Sequence, residues 1–422
     1  MRPLVGTLLL VSLILLSCQK ETEVVGPDSA SSLFLANTRP LEPVTRASME
    51  GVYRIVQGEE FFSDLVVLKW SGAASGADTA FYLSGFFGRD AAHFVLSAGS
   101  LDSALFFSGT WRKLMTGESG LLRAVVPSGS GGRHLMNPLP AIGRDSITIQ
   151  GTWGNGGEDP SRSIVFRYDR PLHRGKNLEI IAHRGGGRTA DRLPVSENSV
   201  DMILYAERLG ATAVEIDVNT TKDGVPVLYH DATLNLRLVQ KNGLVGGVED
   251  YTYEQLQSLV RLIHGERIPT FREALDAALY RTKLQLVYID VKPAMPVATI
   301  HQIQQEYMAK AAAAGRQFEL LIGLPSEEKV NEFRALPNYT QIPSLCELTI
   351  DDVRALNSRV WSPRWTMGTQ SDLVAQMHAE GRRAFVWTLD EPQYIRQFLT
   401  DGQFDGILTN YSCMVAYYHY VR

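Results

Sequence analysis

Cysteine is scarce in this sequence, with three residues in 422. That is too few for the disulfide framework of a small secreted scaffold, and no Cys or His spacing fits a zinc site. Charge of one sign is also missing. Lys and Arg number 41 against 46 Asp and Glu, a net charge of −5, so there is no basic footprint and nucleic acid is not an expected partner. Long apolar runs are absent apart from Leu4 to Leu16, which is shorter than the about 20 residues a membrane-spanning helix needs. What is present is ordinary globular material. Hydrophobic residues make up 45% and charged residues 21%, enough for cores in two or three domains.

Arg2, the apolar run and the small Ser17 predict a secretory signal peptide over residues 1–17. Leu15-Leu16-Ser17-Cys18 resembles the lipobox of bacterial lipoproteins. The resemblance implies lipidation of Cys18 and export to a bacterial membrane, the outer membrane or cell surface. Residues 18–46 then read as a tether, rich in Ser, Pro, Thr and Ala and without a sustained period. Cys346 and Cys413 lie in apolar surroundings and are expected as two buried thiols. A disulfide between them is the alternative that an exported compartment permits.

Residues 47–170 predict an all-β accessory domain, a sandwich or a barrel. Short runs at Phe61–Trp70, Thr79–Phe87, His93–Leu96, Ala104–Trp111, Leu121–Val126, Ser146–Trp153 and Ser163–Tyr168 are separated by Gly, Ser, Asp and Asn clusters. Ser108-Gly109-Thr110-Trp111 and Gln150-Gly151-Thr152-Trp153 echo each other, and their tryptophans are expected in the core. Residues 177–422 change to strand–helix alternation. Strands are predicted at Leu178–His183, Ala213–Val218, Pro226–His230, Leu284–Val291, Glu319–Leu324, Ile342–Leu348, Ala384–Leu389 and Asp405–Thr409. Thr270 and Glu273 form a capping box opening a helix, and Gly210 and Gly381 close two others. This is the size and rhythm of an α/β fold of the (β/α)8 TIM-barrel type. A ninth candidate, Val360–Trp365, is read as a loop because Pro363 interrupts it.

Four of the predicted strands end in polar residues. They run into His183-Arg184, through Glu215-Ile216-Asp217, into His230-Asp231, and through Asp290-Val291-Lys292. Side chains two apart on a strand share a face, so Glu215 and Asp217 project together, and Val214, Ile216 and Val218 project the other way. Two carboxylates side by side inside a barrel are costly unless a cation neutralises them. Hard oxygen ligands select Ca2+ or Mg2+. Two histidines suit general acid and base roles, and Arg and Lys beside a cation suit a phosphoryl group. The set predicts metal-assisted phosphoryl transfer at the C-terminal rim of the barrel.

The ordered set His183-Arg184-Gly185, Glu197-Asn198, Glu215-Ile216-Asp217-Val218, Thr221 to Val227 and His230-Asp231 resembles the signature of glycerophosphodiester phosphodiesterases. Gly265 to Phe271, Val386-Trp387-Thr388 and Asp405 to Asn410 extend the resemblance over nearly all of 177–411. It implies that Glu215 and Asp217 bind the divalent cation, Ca2+ or Mg2+, with Asp290 as third ligand. It implies His183 and His230 as the catalytic acid–base pair, with His230 the base and His183 the acid. Arg184 and Lys292 would contact phosphate, Glu197 would sit in the loop beside the cation, and Trp387 near the substrate's glycerol side. A neighbouring substrate hydroxyl would attack phosphorus, and water would then open the cyclic phosphate. The expected partners are a small glycerophosphodiester or lysophospholipid, a membrane through Cys18, and a glycan or protein ligand of the β domain. Position 290 departs from the pattern, since the family more often carries Glu there. Two alternatives stay open: a lyase-like barrel that stops at the cyclic product, and a degenerate barrel serving as a surface binding protein.

Overall fold

A computed structural model describes residues 33–75, 78–137, 147–175 and 177–422. The predicted signal peptide and Cys18 lie outside these residues. The predicted tether ends earlier than expected. From Phe34 onward the chain packs on the first barrel: Phe34 meets Phe106 edge-on at 5.8 Å, Arg39 bridges to Ser100, and Thr45 and Met49 are buried in a helix at Pro43–Met49. Leu41 and Met49 supply buried apolar side chains that composition alone hid.

Eight antiparallel strands form that first barrel. They are β1 (Gly51–Gln57), β2 (Leu65–Ser75), β3 (Asp78–Phe87), β4 (Ala92–Leu101), β5 (Ala104–Lys113), β6 (Ser119–Val126), β7 (Thr148–Asn155) and β8 (Arg162–Arg170), each paired with the next, and β1 closes on β8. Each of the seven predicted runs contains a strand, although β2 starts only at Leu65 and Ser146 lies outside the described residues, and β1 joins them. An eight-stranded barrel has an interior wide enough for side chains to fill. Here aromatic rings fill it. Phe61 stacks on Trp153 at 4.1 Å, and Trp111 meets Trp153 edge-on at 5.6 Å. The repeated tetrapeptide has a steric cause. A Cβ at Gly109 would lie 2.1 Å from the Val95 carbonyl oxygen, and one at Gly151 would lie 2.7 Å from that of Arg123. Both glycines let neighbouring backbone approach while the tryptophan two residues on enters the core.

The second barrel has eight parallel strands in a closed ring. They are β9 (Glu179–Ala182), β10 (Ala213–Thr220), β12 (Leu286–Val291), β13 (Glu319–Leu324), β14 (Ser344–Cys346), β15 (Val360–Trp361), β16 (Arg383–Val386) and β17 (Gly406–Thr409), with β17 and β10 both pairing β9. This is the TIM barrel expected, with two strand assignments corrected. Pro226–His230 contributes β11 (Pro226–Leu228), which is antiparallel to β10 and outside the ring. Only residues 221–225 separate it from β10, far short of the dozen or more that a parallel crossover needs. The strand that completes the ring is β15, read from sequence as a loop. It pairs with β14 and β16 and ends at Trp361, before Pro363, so the proline removes no ladder hydrogen bond.

The side-chain alternation on β10 and β12 follows from parallel pairing. Val214, Ile216, Val218, Val287 and Ile289 pack outward under the helices, while Ala213, Leu286 and Tyr288 line the barrel interior. The helices form where expected. Thr270 and Glu273 cap Phe271–Arg281 reciprocally, and Gly210 (φ +87°) closes the turn after Val200–Ala206. Cys346 and Cys413 are both buried and unpaired. No helix among the described residues is long and apolar enough to cross a membrane.

The two barrels share one apolar cluster. Val52, Val67, Phe86, Ala91, Val95 and Leu114 of the first are buried with Met202, Ile203, Tyr205, Met414 and Ala416 of the second.

Candidate active site

Parallel pairing of β10 with β12 sets Asp217 opposite Asp290 and Glu215 opposite Tyr288. Carboxylate oxygens of Glu215, Asp217 and Asp290 all lie within 4.8 Å of one another. Lys292 Nζ reaches Asp217 Oδ1 and Asp290 Oδ2, each at 2.6 Å. One ammonium among three carboxylates leaves two net negative charges in a buried cluster. Burial, then Asp217 and Asp290, push Glu215 well above the carboxylate range, and burial likewise raises Asp290. Asp217 is also opposed by burial, yet Lys292 and the two histidines hold it below its ordinary value. A divalent cation would supply the missing charge, and all three candidate ligand atoms are hard oxygens, so the residues present fit a hard cation such as Ca2+ or Mg2+.

His183 follows β9 directly. Its Nδ1 lies 2.7 Å from Asn410 Oδ1. Asp390 accepts from Asn410 Nδ2 at 2.6 Å and from its backbone N–H at 2.8 Å, which turns the amide oxygen toward the histidine. Nδ1 of His183 therefore carries the hydrogen, and Nε2 faces Glu215 Oε2 at 3.8 Å. Burial, then Arg184, lower the His183 pKa to about 4, so the ring is neutral near pH 7 before anything binds.

His230 reaches the same space by another route. The β10–β11 hairpin rises above the rim and returns, with Tyr229 N–H donating to the Asp217 carbonyl at 3.1 Å. His230 follows at once. Its Nδ1 sits 2.7 Å from Asp231 Oδ1, and its Nε2 accepts from Arg184 Nη2 at 2.9 Å. Asp231 thus orients the catalytic candidate and also accepts from Asn235 Nδ2 at 2.8 Å.

Arg184 adopts left-handed backbone (φ +54°), costing about 1–2 kcal/mol for a residue with a Cβ. Two bonds hold it there. Its backbone N–H donates to Glu215 Oε2 at 2.7 Å, and its Nη1 donates to Glu197 Oε1 at 2.7 Å. Glu197 also accepts from Thr189 N–H at 2.7 Å and from Arg237 Nη1 at 3.1 Å. It is almost fully buried behind Arg184 and does not face the cavity. Asn198 beside it donates from Nδ2 to Asp217 Oδ2 at 2.6 Å and accepts from the Asp217 N–H at 3.1 Å. Lys292 is likewise turned onto carboxylates. Among the two residues expected on phosphate, Arg184 alone lines the cavity.

The cavity measures about 350 Å3. Its lining includes His183, Arg184, Glu215, Asp217, His230 and Asp290, together with Tyr288, Glu347, Arg364 and Trp387. The Arg364 guanidinium lies 4.9 Å from the Trp387 ring. Burial pushes Glu347 up to about 7, and Tyr288 donates a hydrogen bond to it. Sequence reasoning missed Glu347, Asp390 and Asn410 as site residues. Glu347 and Asn410 directly follow β14 and β17 at the C-terminal rim, and Asp390 lies four residues after β16. The rule that found the first four polar endings reaches them too.

Comparison with known proteins supplies the rest. The model of the glycerophosphoryl diester phosphodiesterase family matches residues 183–319. A Mycobacterium tuberculosis protein named probable glycerophosphodiester phosphodiesterase 2 is 30% identical over 256 residues, 54% of this chain and 86% of the relative. The chain belongs to the glycerophosphodiester phosphodiesterase family. A glycerophosphodiester phosphodiesterase of Caldanaerobacter subterraneus is 28% identical over 240 residues, 55% of this chain and 93% of that one. A crystal structure of a glycerophosphodiester phosphodiesterase from Parabacteroides distasonis is 24% identical, covers 56% of this chain and 94% of that chain, and has a TM-score of 0.44. The residues matched by the family model lie wholly within the second barrel.

Proposed function

We propose that this protein hydrolyses glycerophosphodiesters to an alcohol and glycerol phosphate, using a divalent cation held by Glu215, Asp217 and Asp290. One observation carries the reading. Two imidazoles, each with Nδ1 committed to a fixed partner, border a buried three-carboxylate cluster that lacks two positive charges. When bound there, such a cation would supply positive charge that stabilises the phosphoryl group in the transition state.

The chain's own groups divide the proton work. The substrate hydroxyl next to the phosphoryl group attacks phosphorus, and His230 Nε2 takes its proton. Asp231 lies behind that ring and stabilises the imidazolium that forms. The P–O bond to the alcohol breaks, and His183 Nε2 delivers a proton to the departing oxygen. A neutral amide backs His183, so its protonated form gives up that proton readily. The negative charge of the arriving phosphodiester offsets the burial and the Arg184 field that keep the ring neutral beforehand. Water then opens the cyclic phosphate with the two roles exchanged. Arg184 steers the phosphoryl group, while Glu197 and Lys292 hold the groups around it.

The test is phosphorus NMR of products from a panel of glycerophosphodiesters and lysophospholipids, with EDTA and after adding back Ca2+ or Mg2+. Release of glycerol phosphate, lost in chelator and restored by metal, is expected. Full turnover in EDTA overturns the cation's role, and accumulation of a cyclic phosphate places the reaction with the lyases. Export and anchoring through Cys18 are part of the same proposal. They predict a lipid-modified N-terminal cysteine in membrane fractions, and an unmodified Cys18 there refutes them.

A further inference from the structure

The first barrel has no part in the chemistry above, yet one end of it touches the loop that builds the site. That loop runs from residue 185 to residue 199, between β9 and the helix Val200–Ala206. Its inner end carries Glu197 and Asn198, which hold Arg184 and Asp217. Its outer arc is Asp191, Arg192 and Leu193.

The outer arc is gripped from two sides. On one, Asp191 binds Arg188 at 2.9 Å and accepts from Tyr411 Oη at 3.3 Å, next to the Asn410 that orients His183. On the other stands the β5–β6 turn of the first barrel. Arg112 Nη1 donates a long hydrogen bond, 3.4 Å, to the Arg192 carbonyl. Gly117 lies against Arg192, whose Nη1 is 3.5 Å from where a Gly117 Cβ would be. Leu114 and Leu193 are both buried in the cluster the two barrels share. Lys113 pairs with Asp90 and Glu118, each at 3.5 Å, tying the β3–β4 and β5–β6 turns into one tip. The Cys413 thiol donates to the Ala91 carbonyl at 3.4 Å and fixes that tip to the rim side of the second barrel.

We infer that the tip of the first barrel, chiefly Arg112 and Leu114, is a positioning element for the catalytic loop. It holds Arg192 and Leu193 so that Glu197 and Asn198 keep Arg184 and Asp217 in register. The inference rests on the hydrolytic reading of that site. Loops with few apolar anchors sample many conformations, and an Ångström of misplacement in a catalytic group costs up to about a hundredfold in rate. A rigid barrel pressed on the outer arc removes that freedom.

The experiment compares Arg112→Gln and Leu114→Ala with Val67→Ala, which trims the shared cluster at β2, away from the loop. Hydrogen exchange of residues 185–199, kcat, KM and Tm are measured on each full-length protein. Arg112→Gln and Leu114→Ala are expected to speed exchange across the loop and lower kcat about tenfold, with KM changing less. Arg112→Lys should restore part of the loss. Val67→Ala should lower Tm without either effect. Loop exchange unchanged in both tip variants, or a kcat loss no larger than that of Val67→Ala, overturns the inference. If Leu114→Ala does not fold, Arg112→Gln alone decides. A wild-type protein that cleaves no diester refutes the hydrolytic reading instead, while its loop-exchange result still judges the tip.

Discussion

Asp231 and Asn410 differ by one functional group, and the proposed division between the two histidines follows from that difference. Behind His230 stands a carboxylate, which supports a ring that gains a proton. Behind His183 stands a carboxamide whose orientation Asp390 imposes. The two roles separate with a leaving group that needs no proton. His183→Ala should cut hydrolysis of an ordinary glycerophosphodiester by about 10²–10⁴-fold but spare most p-nitrophenol release from the p-nitrophenyl ester, with cyclic phosphate accumulating because His183 is also the base that opens it. His230→Ala should lose both, because the attacking hydroxyl still needs its base. The reverse pattern would exchange the assignments. At this scale the polar strand endings that meet in the structure were legible in the sequence. His183, Glu215, Asp217, His230 and Asp290 do converge. Their partners were less visible, since Asn410 is some two hundred residues from His183 in the chain and only barrel closure through β17 and β9 makes them neighbours.

Strands gave the clearest divergence between pattern and structure. Pro226–His230 carries the same apolar-then-polar signature as a barrel strand, and hydrophobic period does not encode direction. Loop length does, because residues 221–225 permit a hairpin and nothing longer. Val360–Trp361 has only two paired residues, so its own pattern is too brief to register, and its neighbours on both sides define it. Helix starts are different, because their signal is local. Thr270 accepts from the Glu273 N–H at 3.1 Å while the Glu273 carboxylate takes the Thr270 N–H at 2.7 Å. Thr270→Ala should therefore cost about 1 kcal/mol in urea denaturation. A change below the error of that measurement would show that packing alone holds the helix Phe271–Arg281.

Across the whole molecule, the interface between the barrels buries a titratable pair. His93 and Arg112 sit opposite each other on β4 and β5, on the outer face of the first barrel. Burial, then the Arg112 charge, lower His93 from its ordinary 6.5 to about 3. The unfolded chain binds this proton below about 6.5 and the native protein does not, so stability is whole above that pH and falls as pH drops toward 3. Thermal melts from pH 7 to pH 4 should show the decline, and His93→Gln should flatten it relative to wild type. An unchanged slope in the variant would assign acid sensitivity elsewhere, the site carboxylates included.

The sequence by itself determined what is local or periodic: two β-rich and α/β regions, helix caps, polar strand endings and the ordered motifs of the family. These depend on residues within a few positions of each other, or on a regular period. Tertiary structure alone decided which strands close the second ring, that Asn410 and Asp390 stand behind His183, and that Glu197 pairs with Arg184 while Lys292 pairs with Asp217 and Asp290. It also set the first barrel against the catalytic loop. Each of these depends on contacts between distant segments, where geometry follows from packing that no single stretch of chain contains.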